Sequence, residues 1–384
     1  MKNETQCIED IRVKRHFVLS GQDSDSAEDD PVVLIVLAGK SSFMNHFYTR
    51  RGFIHRSALL SMAYTLFGKV SLSPASRVMT VKGWISASQM GSSLSHEHVM
   101  VDFIGADKTG PSRYDRDEVF QIVLPHLLEL KNKGCQTLVE CTPAYLGRDP
   151  GLLLRLSVAS GLNMLTNTGY YGAAGEKYIP QHAYKETSQQ LANRWIAEWK
   201  EGIAGTGIRP GFIKSGVDTY PLSNMQTTLV EAGVITHLAT GLTLGIHTGN
   251  GKAALEELAI IRKGGMNPRG WIWIHAQNEK DREIHFRVAK AGGWVSYDGV
   301  SENKIGDCLQ FLKDMKSAKL MHRVLLSQDA GWYHVGEPQG GTFNKYSIIA
   351  DHLLPALKEN DFSESELQLL LTENPAHAFA VRSK

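Results

Sequence analysis

From about residue 80 onward, one hydrophobic pattern repeats along the chain. A short run of β-branched or aromatic residues ends in a polar or ionisable residue, and an amphipathic stretch follows, which is typical of alternating strands and helices. The predicted strands are Gly91–His98, Thr137–Thr142, Asn163–Thr168, Pro210–Lys214, Thr243–His247, Trp271–His275, Trp294–Tyr297 and Arg323–Ser327. The predicted helices are Asp117–Lys131, Thr187–Ile203, Met225–Ala239, Ala253–Lys263 and Lys280–Ala291.

This repeat predicts an α/β fold, a (β/α)8 TIM barrel. One strand–helix unit needs about 30 residues, and the chain of 384 residues has room for eight of them. The alternative is an open, doubly wound sheet, which requires a glycine-rich phosphate turn after its first strand. The segment Gly91–Ser92–Ser93 precedes the polar end of its strand, and no such fingerprint follows it. The barrel is therefore the preferred interpretation.

The first 75 residues have a different composition. Residues 1–43 are irregular and are interpreted as unstructured or as a mis-called start, with Met44 as a second candidate start. Residues 44–75 contain the pair Arg50–Arg51, an apolar stretch from Ala58 to Leu72 and the small residues Ser73–Pro74–Ala75. This order is similar to a twin-arginine-type signal peptide; the alternative is an amphipathic helix or a short anchor. Residues 76–384 are then the domain that forms the predicted barrel.

These features predict a protein exported to the periplasm through the twin-arginine route, or anchored to the membrane if the signal is not cleaved. The bulk charge is nearly balanced, with 41 Lys and Arg, 40 Asp and Glu and a net charge of +1. Without a dense basic stripe, neither nucleic acid nor a membrane is expected as a partner of the mature domain. The four cysteines form no CxxC pair, which excludes a disulfide framework and thiolate metal sites.

Several predicted strands end in residues that bind metals. In Ser95–His96–Glu97–His98 the two imidazoles point to one face of the strand and Glu97 to the other, because side chains alternate. Later strands end in Lys214, His247, His275 and Asp329. Each of these residues, taken alone, could have a purely structural role, such as a hydrogen-bonded core histidine or a capping aspartate. Together, at the strand ends where barrel enzymes place their catalytic groups, they indicate a metal site.

The same segments carry a family resemblance. The sequence from Val78 to the C-terminus resembles the phosphotriesterase-related branch of the amidohydrolase superfamily. The matching segments are SHEH at 95–98, GFIKSG at 211–216, GIHTGNG at 245–251, IHAQNE at 274–279, WVSYDG at 294–299 and LLSQDAGWYH at 325–334. They are specific for the family and not for a substrate.

The resemblance implies two divalent ions, with zinc as the expected metal. His96, His98 and Asp329 would hold the buried ion, and His247 and His275 the more exposed one. Lys214 would bridge both as a carbamate formed with carbon dioxide, although some members of the family use a glutamate at that position. One departure is Gln328, where the family pattern favours a histidine, and it puts the surroundings of Asp329 in doubt.

The implied chemistry is hydrolysis of ester-type bonds in a small-molecule substrate through a metal-bridging hydroxide. Asp329 would accept the proton, and His275 would help to move it outward. A lactone or carboxylic ester is the favoured substrate, with a phosphotriester next. The alternatives are an N-acyl amide hydrolase of the same family, or a metal-binding barrel that binds ligands with little or no turnover.

The predicted substrate pocket lies in the loops after the strands. Its expected lining is Tyr170, Tyr171, Tyr297, Trp332, Tyr333 and His334, with Glu140 and Asp298 as further candidates. An aromatic wall suits a substrate with an apolar tail, whereas the competing interpretation is ordinary loop packing. Because relatives are often dimers, a homodimer is expected.

Overall fold

The computed structural model describes residues 76–382. A hairpin of β1 (Arg77–Thr80) and β2 (Gly83–Ser86) comes first. The remaining strands are β3 (Ser93–Val101), β4 (Thr137–Glu140), β5 (Asn163–Leu165), β6 (Asn167–Thr168), β7 (Phe212–Val217), β8 (Leu244–Thr248), β9 (Trp271–Ile274), β10 (Trp294–Tyr297), β11 (Val324–Leu326) and β12 (Gly331–His334). Each predicted strand overlaps a strand of this set.

Helices alternate with these strands. They are α1 (Arg116–Asn132), α2 (Pro150–Ser160), α3 (Ser188–Glu201), α4 (Asn224–Thr240), α5 (Gly251–Lys263), α6 (Arg282–Ala291), α7 (Ile305–Ser317), α8 (Leu354–Glu359), α9 (Glu364–Gln368) and α10 (Asn374–Phe379). Local sequence sets their ends: the side chains of Asp115, Thr187 and Ser223 accept backbone N–H bonds at three helix starts. Gly161 and Gly241 end α2 and α4 in the left-handed conformation that glycine adopts without strain.

The strands form a closed barrel. One sheet has the order β12-β3-β4-β5 and the other β11-β10-β9-β8-β7-β6. Thr166 separates β5 from β6, and a four-residue segment, 327–330, separates β11 from β12, so each pair occupies one position of the ring. The parallel pairing of Gly331 with His98 closes it. The fold is the predicted (β/α)8 barrel.

The hairpin and the C-terminal helices close the end of the barrel where the strands begin. Val78 and Phe379 are buried in one cluster with Phe212, Ile272 and Trp294 of the barrel strands. The backbone N–H of Val381 donates to the carbonyl of Arg77 at 2.9 Å, which joins the two ends of the described chain. We call this end of the barrel the base, and the opposite end the mouth.

The predicted signal segment lies outside the described residues, so its interpretation stays a prediction. Within residues 76–382, no helix has both the length and the apolar character needed to cross a membrane.

Candidate metal centre and active site

Four of the predicted ligands come together at the mouth. His96 and His98 on β3 place their Nε2 atoms 3.2 Å apart. Asp329, just after β11, lies with Oδ1 at 3.1 Å from His98 Nε2 and 3.6 Å from His96 Nε2. His275, at the end of β9, has its Nε2 atom 3.9 Å from Asp329 Oδ2. One carboxylate is thus surrounded by three imidazole nitrogens.

Asp298, after β10, fixes which nitrogen of two of these rings carries the proton. Its Oδ2 lies 3.1 Å from His96 Nδ1, and its Oδ1 lies 2.7 Å from His275 Nδ1. Burial acts to raise the pKa of Asp298, but the charges and hydrogen bonds of His275 and His96 outweigh it and hold the pKa well below its usual range. An ionised carboxylate only accepts, so both Nδ1 atoms donate, and the neutral His96 ring presents its Nε2 lone pair. Burial acts to lower the pKa of His275, but the charges of Asp298 and Asp329 raise it above its usual value, which favours the protonated ring.

Thr142 fixes the tautomer of His98, with the proton on Nδ1. The hydroxyl of Thr142 donates to the carbonyl of Met100 at 3.0 Å and therefore accepts from His98 Nδ1 at 2.8 Å. Burial lowers the pKa of His98 to about 4 and that of His96 below its usual value, so both rings are neutral near pH 7. Neutral imidazole is the form that binds a metal.

This arrangement fits a cation. The Nε2 lone pairs of His96 and His98 face Asp329, and the Oδ1 atom of Asp329 is buried without a hydrogen-bond partner of acceptable geometry among residues 76–382. Burial acts to raise the pKa of Asp329, but His96 and His98 hold it well below its usual range. A buried anion and buried lone pairs repel one another unless a positive charge lies among them. His96, His98 and Asp329 therefore have the positions and chemistry of a metal site.

Lys214, on β7, is a buried lysine at the mouth. It is 1% exposed, and among the described residues its ammonium has no ion pair or hydrogen bond. Its Nζ lies 5.2 Å from the ring centre of Tyr171. Burial lowers the pKa of Lys214, which favours the neutral amine. A neutral amine is the form that reacts with carbon dioxide, so the environment suits the carbamate expected from the resemblance.

His247, on β8, lies beside these groups. Its ring centre is 4.5 Å from that of His275 and 5.1 Å from that of Tyr171. Burial lowers the pKa of His247 well below its usual value, so this ring too is neutral near pH 7. His247 thus adjoins His275, and both His247 and Lys214 adjoin Tyr171.

Two of the donors stand on backbone in the left-handed region. His275 has a φ of 64° and Asp329 a φ of 53°, a conformation that non-glycine residues seldom adopt. Trp332, which packs on His98, has a φ of 75° and lies in the same region. Residues in this region persist when surrounding contacts hold them there, and they concentrate at functional sites.

Glu97 supplies those contacts for the segment that carries Asp329. Its carboxylate accepts from the Ser327 hydroxyl at 2.7 Å and from the backbone N–H groups of Gln328 at 3.0 Å and Ala330 at 2.7 Å. Burial raises its pKa to about 8 against the opposite effect of these donors. Glu97 therefore holds the residues on both sides of Asp329. The alternation of side chains along the strand predicted only that Glu97 points away from the histidines.

We expect the substitution Glu97→Gln to lower kcat by about 10- to 100-fold, a size typical of groups that support metal ligands. The amide would place a donor against the Ala330 or Ser327 donor and displace Asp329. Steady-state kinetics beside metal analysis would measure this, with the exposed Glu283→Gln as the matched control. Unchanged kcat in Glu97→Gln would show that Asp329 is held by other contacts.

Gln328, the departure from the family pattern, turns away from the cluster. Its side-chain oxygen accepts from the backbone N–H of Ile349 at 2.9 Å, in the segment before α8. The difference therefore affects the packing of the C-terminal helices, and the donors around Asp329 come from other residues.

Three of the predicted substrate residues lie near the ligand cluster. Tyr171 adjoins His247, and the ring of Trp332 packs at 4.0 Å from that of His98. His334 lies beside Trp332, with 6.3 Å between the ring centres. Phe103, which was not among the predicted substrate residues, also lies here. It is 40% exposed, and its ring centre is 5.7 Å from that of Trp332 and 5.6 Å from that of His334.

The other three face the helices. Tyr170 packs against Trp195 of α3, with ring centres 5.5 Å apart. Tyr333 donates from its hydroxyl to Glu118 of α1 at 3.0 Å. Tyr297 stacks on Phe311 of α7 and bonds His285, and it lines a separate cavity of about 370 Å³ between α6 and α7. These side chains do not share the site. Glu140 is buried, and its backbone carbonyl accepts a hydrogen bond from Asn167. Its side chain therefore adds no exposed surface to the substrate pocket.

We expect Asp298→Asn to weaken metal binding by about 10- to 100-fold, since orienting partners of ligating histidines have effects of that size. An amide cannot accept two Nδ1–H bonds equally, so one ring would lose its tautomer. Titration of the metal-free protein with zinc would measure the change. The control is Asp314→Asn, a surface carboxylate paired with Arg282; equal affinities in both variants would contradict the assigned role.

A barrel with such a cluster at its mouth defines a class of protein, the metal-dependent barrel hydrolases, and comparison with known proteins narrows it. The model of the phosphotriesterase family matches residues 76–379. The chain belongs to this family.

Individual relatives agree with that membership. The chain is similar to the aryldialkylphosphatase of Saccharolobus solfataricus, 24% identical over 310 residues that cover 78% of this chain and 98% of that protein. It is also similar to the N-acetyltaurine hydrolase of Mus musculus, 24% identical over 341 residues, with 78% and 96% covered. The solved organophosphorus hydrolase from Deinococcus radiodurans superimposes with a TM-score of 0.72 at 26% identity, covering 81% of this chain and 99% of that one. These relatives are hydrolases with different substrates.

Proposed function

We propose that this protein is a binuclear metal-dependent hydrolase that acts on ester-type bonds. The observation that carries the proposal is the convergence of the Nε2 atoms of His96, His98 and His275 on the carboxylate of Asp329, whose Oδ1 atom is buried. His96, His98 and Asp329 would hold one ion, and His247 and His275 the other. Lys214, as a carbamate, would give one oxygen to each, and zinc suits this set of nitrogen and oxygen donors.

When bound, the two ions would activate a water for attack and polarise the oxygen of the scissile group. The protein's own residues complete the chemistry. Asp329 is 26% exposed at its side chain, so it faces the substrate and can accept the proton released on attack. Asp298 keeps His275 and His96 oriented throughout, and Glu97 keeps the Asp329 segment in place.

The lining of the mouth supports a substrate with an apolar part. Phe103, Trp332 and His334 form a partly exposed aromatic wall next to His98, and Tyr171 stands on the opposite side beside His247. Such walls bind acyl chains or aryl groups through buried apolar area. We therefore favour a lactone or carboxylic ester, with a phosphotriester second.

A second candidate is hydrolysis of an N-acyl amide. It is favoured by the similarity to an N-acetyltaurine hydrolase, and the same donors would serve either bond. A barrel that binds ligands without turnover is the remaining alternative.

The test is hydrolysis by the full chain produced with zinc and bicarbonate. Metal content per chain is measured beside turnover of a lactone, an aryl ester, an aryl phosphotriester and an N-acetyl amino sulfonate. Two metals and the largest kcat/KM on a lactone or aryl ester support the proposal. Highest turnover of the amide supports the second candidate, and two metals with no turnover support a binding role.

We also propose that the protein is exported through the twin-arginine route, on the strength of Arg50–Arg51 and the apolar stretch that follows. Fractionation of cells that produce the full chain tests this. Replacing both arginines with lysine should leave the protein in the cytoplasm, whereas unchanged export would contradict it.

A further inference from the structure

Three arginines lie together at the base, at the end opposite the metal ligands. Arg269 and Arg323 precede β9 and β11, and Arg382 follows α10. Arg382 donates from Nη2 to the backbone carbonyl of Arg269 at 2.6 Å and from Nη1 to the hydroxyl of Thr243 at 2.9 Å. We call these three residues the basal arginine cluster.

Trp294 contacts both Arg269 and Arg323. Its indole N–H donates to the same carbonyl of Arg269 at 3.1 Å, and the guanidinium of Arg323 lies over its ring at 4.9 Å from the centre. The three arginines are thus gathered around one peptide carbonyl and one indole, and the guanidinium of Arg382 is held in place by hydrogen bonds to neutral groups.

The basal arginine cluster has no acidic partner among residues 76–382. Arg323 is only 8% exposed, and neither it nor Arg269 makes a side-chain hydrogen bond or ion pair within that range. The buried Arg148, by contrast, is paired with Glu198 at 2.7 Å. Buried arginines are almost always paired, because an uncompensated buried charge is costly.

Neighbouring charges increase the positive potential. Burial and the charges of Arg323 and Arg269 lower the pKa of Arg382 to about 10. His322 and His377 also lie within range of these arginines, and Glu373 is the acidic group that opposes them, through His377. Within residues 76–382, the cluster is therefore a concentrated cationic site without a bound acidic group.

We propose that the basal arginine cluster binds a phosphate-type oxyanion. Guanidinium groups match the oxygens of a tetrahedral anion through two parallel N–H bonds, and several of them together favour a multiply charged ligand over a carboxylate. Free phosphate, a phosphorylated small molecule and a phospholipid headgroup share this chemistry. The site is distinct from the proposed metal centre, since it lies at the opposite end of the strands.

The test is calorimetric titration of the full chain with inorganic phosphate, in the wild type and in Arg323→Gln and Arg269→Gln. Each substitution should raise the Kd at least tenfold while leaving ester hydrolysis unchanged. Arg209→Gln is the matched control, because this exposed arginine before β7 donates only to the carbonyl of Lys200. Because Arg269 is exposed, Arg269→Gln is expected to fold, and it tests the proposal even if Arg323→Gln does not fold.

Vesicles distinguish the source of the anion. Binding to phosphatidylglycerol vesicles, absent with phosphatidylcholine and lost in Arg269→Gln, would support a headgroup, and binding of phosphate alone would support a soluble ligand. The proposal is overturned if phosphate binding is unchanged in both variants, which would place the anion at the metal centre. It is also overturned if neither phosphate nor phosphatidylglycerol binds the wild type.

Discussion

Replacing Asp329 with asparagine is expected to lower kcat by at least about 10³-fold, within the range that general-base groups contribute. The carboxylate lies among the Nε2 atoms of His96, His98 and His275 and is partly open to the mouth. Asparagine keeps the shape of this side chain but removes its charge and its ability to accept a proton. Both the metal site and the proton path would be affected.

Two measurements separate these effects. Metal content per chain reports ligation, and kcat at saturating zinc reports proton transfer. Asp351→Asn is the control, because this aspartate forms a surface ion pair with Lys133, and it should retain full activity. If Asp329→Asn kept kcat within tenfold of wild type while binding two metals, another group would have to accept the proton.

Replacing Lys214 with methionine is expected to remove at least one metal per chain and to lower kcat/KM by about 10³-fold or more, the scale of a lost electrostatic group. The lysine is buried and has no hydrogen bond or ion pair to the part of the chain that the structure describes, and an unmodified ammonium would repel two dications. Methionine is similar in length and cannot form a carbamate. Metal analysis and kinetics with and without bicarbonate would measure the effect.

Lys214→Glu provides the sharper comparison. A glutamate supplies a bridging anion without carbon dioxide, so this variant should bind more metal than Lys214→Met and show no dependence on bicarbonate. In the wild type, a carbon-13 carbamate signal should appear after growth with labelled bicarbonate. Two tightly bound metals in Lys214→Met would rule out a bridge at this residue.

The barrel and the donor positions were predictable because both follow from local pattern. Strands of a parallel barrel are apolar runs that end at the mouth, so a polar residue at the end of such a run marks its position. His247 and Lys214 were found in this way. Helix α2 was not predicted, because Pro150–Gly151 resembles a turn, although proline is favourable in the first turn after the cap Asp149.

Contacts between distant segments were not predictable. Tyr170 and Tyr171 are neighbours in sequence, yet Tyr170 packs on Trp195 and Tyr171 on the proposed ligand His247, since consecutive side chains point to opposite sides. The roles of Asp298 and Glu97 depend on partners more than 20 and 200 residues away, respectively. A single sequence gives no measure of such distances.

The pairing of Arg77 with Val381 has a practical consequence. Both ends of the described chain leave the barrel at the base, about one strand length from the residues that open to solvent at the mouth. A fusion partner, an affinity tag or a solid support joined at residue 76 or 382 would hold the barrel by the face opposite the proposed metal centre. Immobilised in this orientation, the protein would keep its mouth free for substrate.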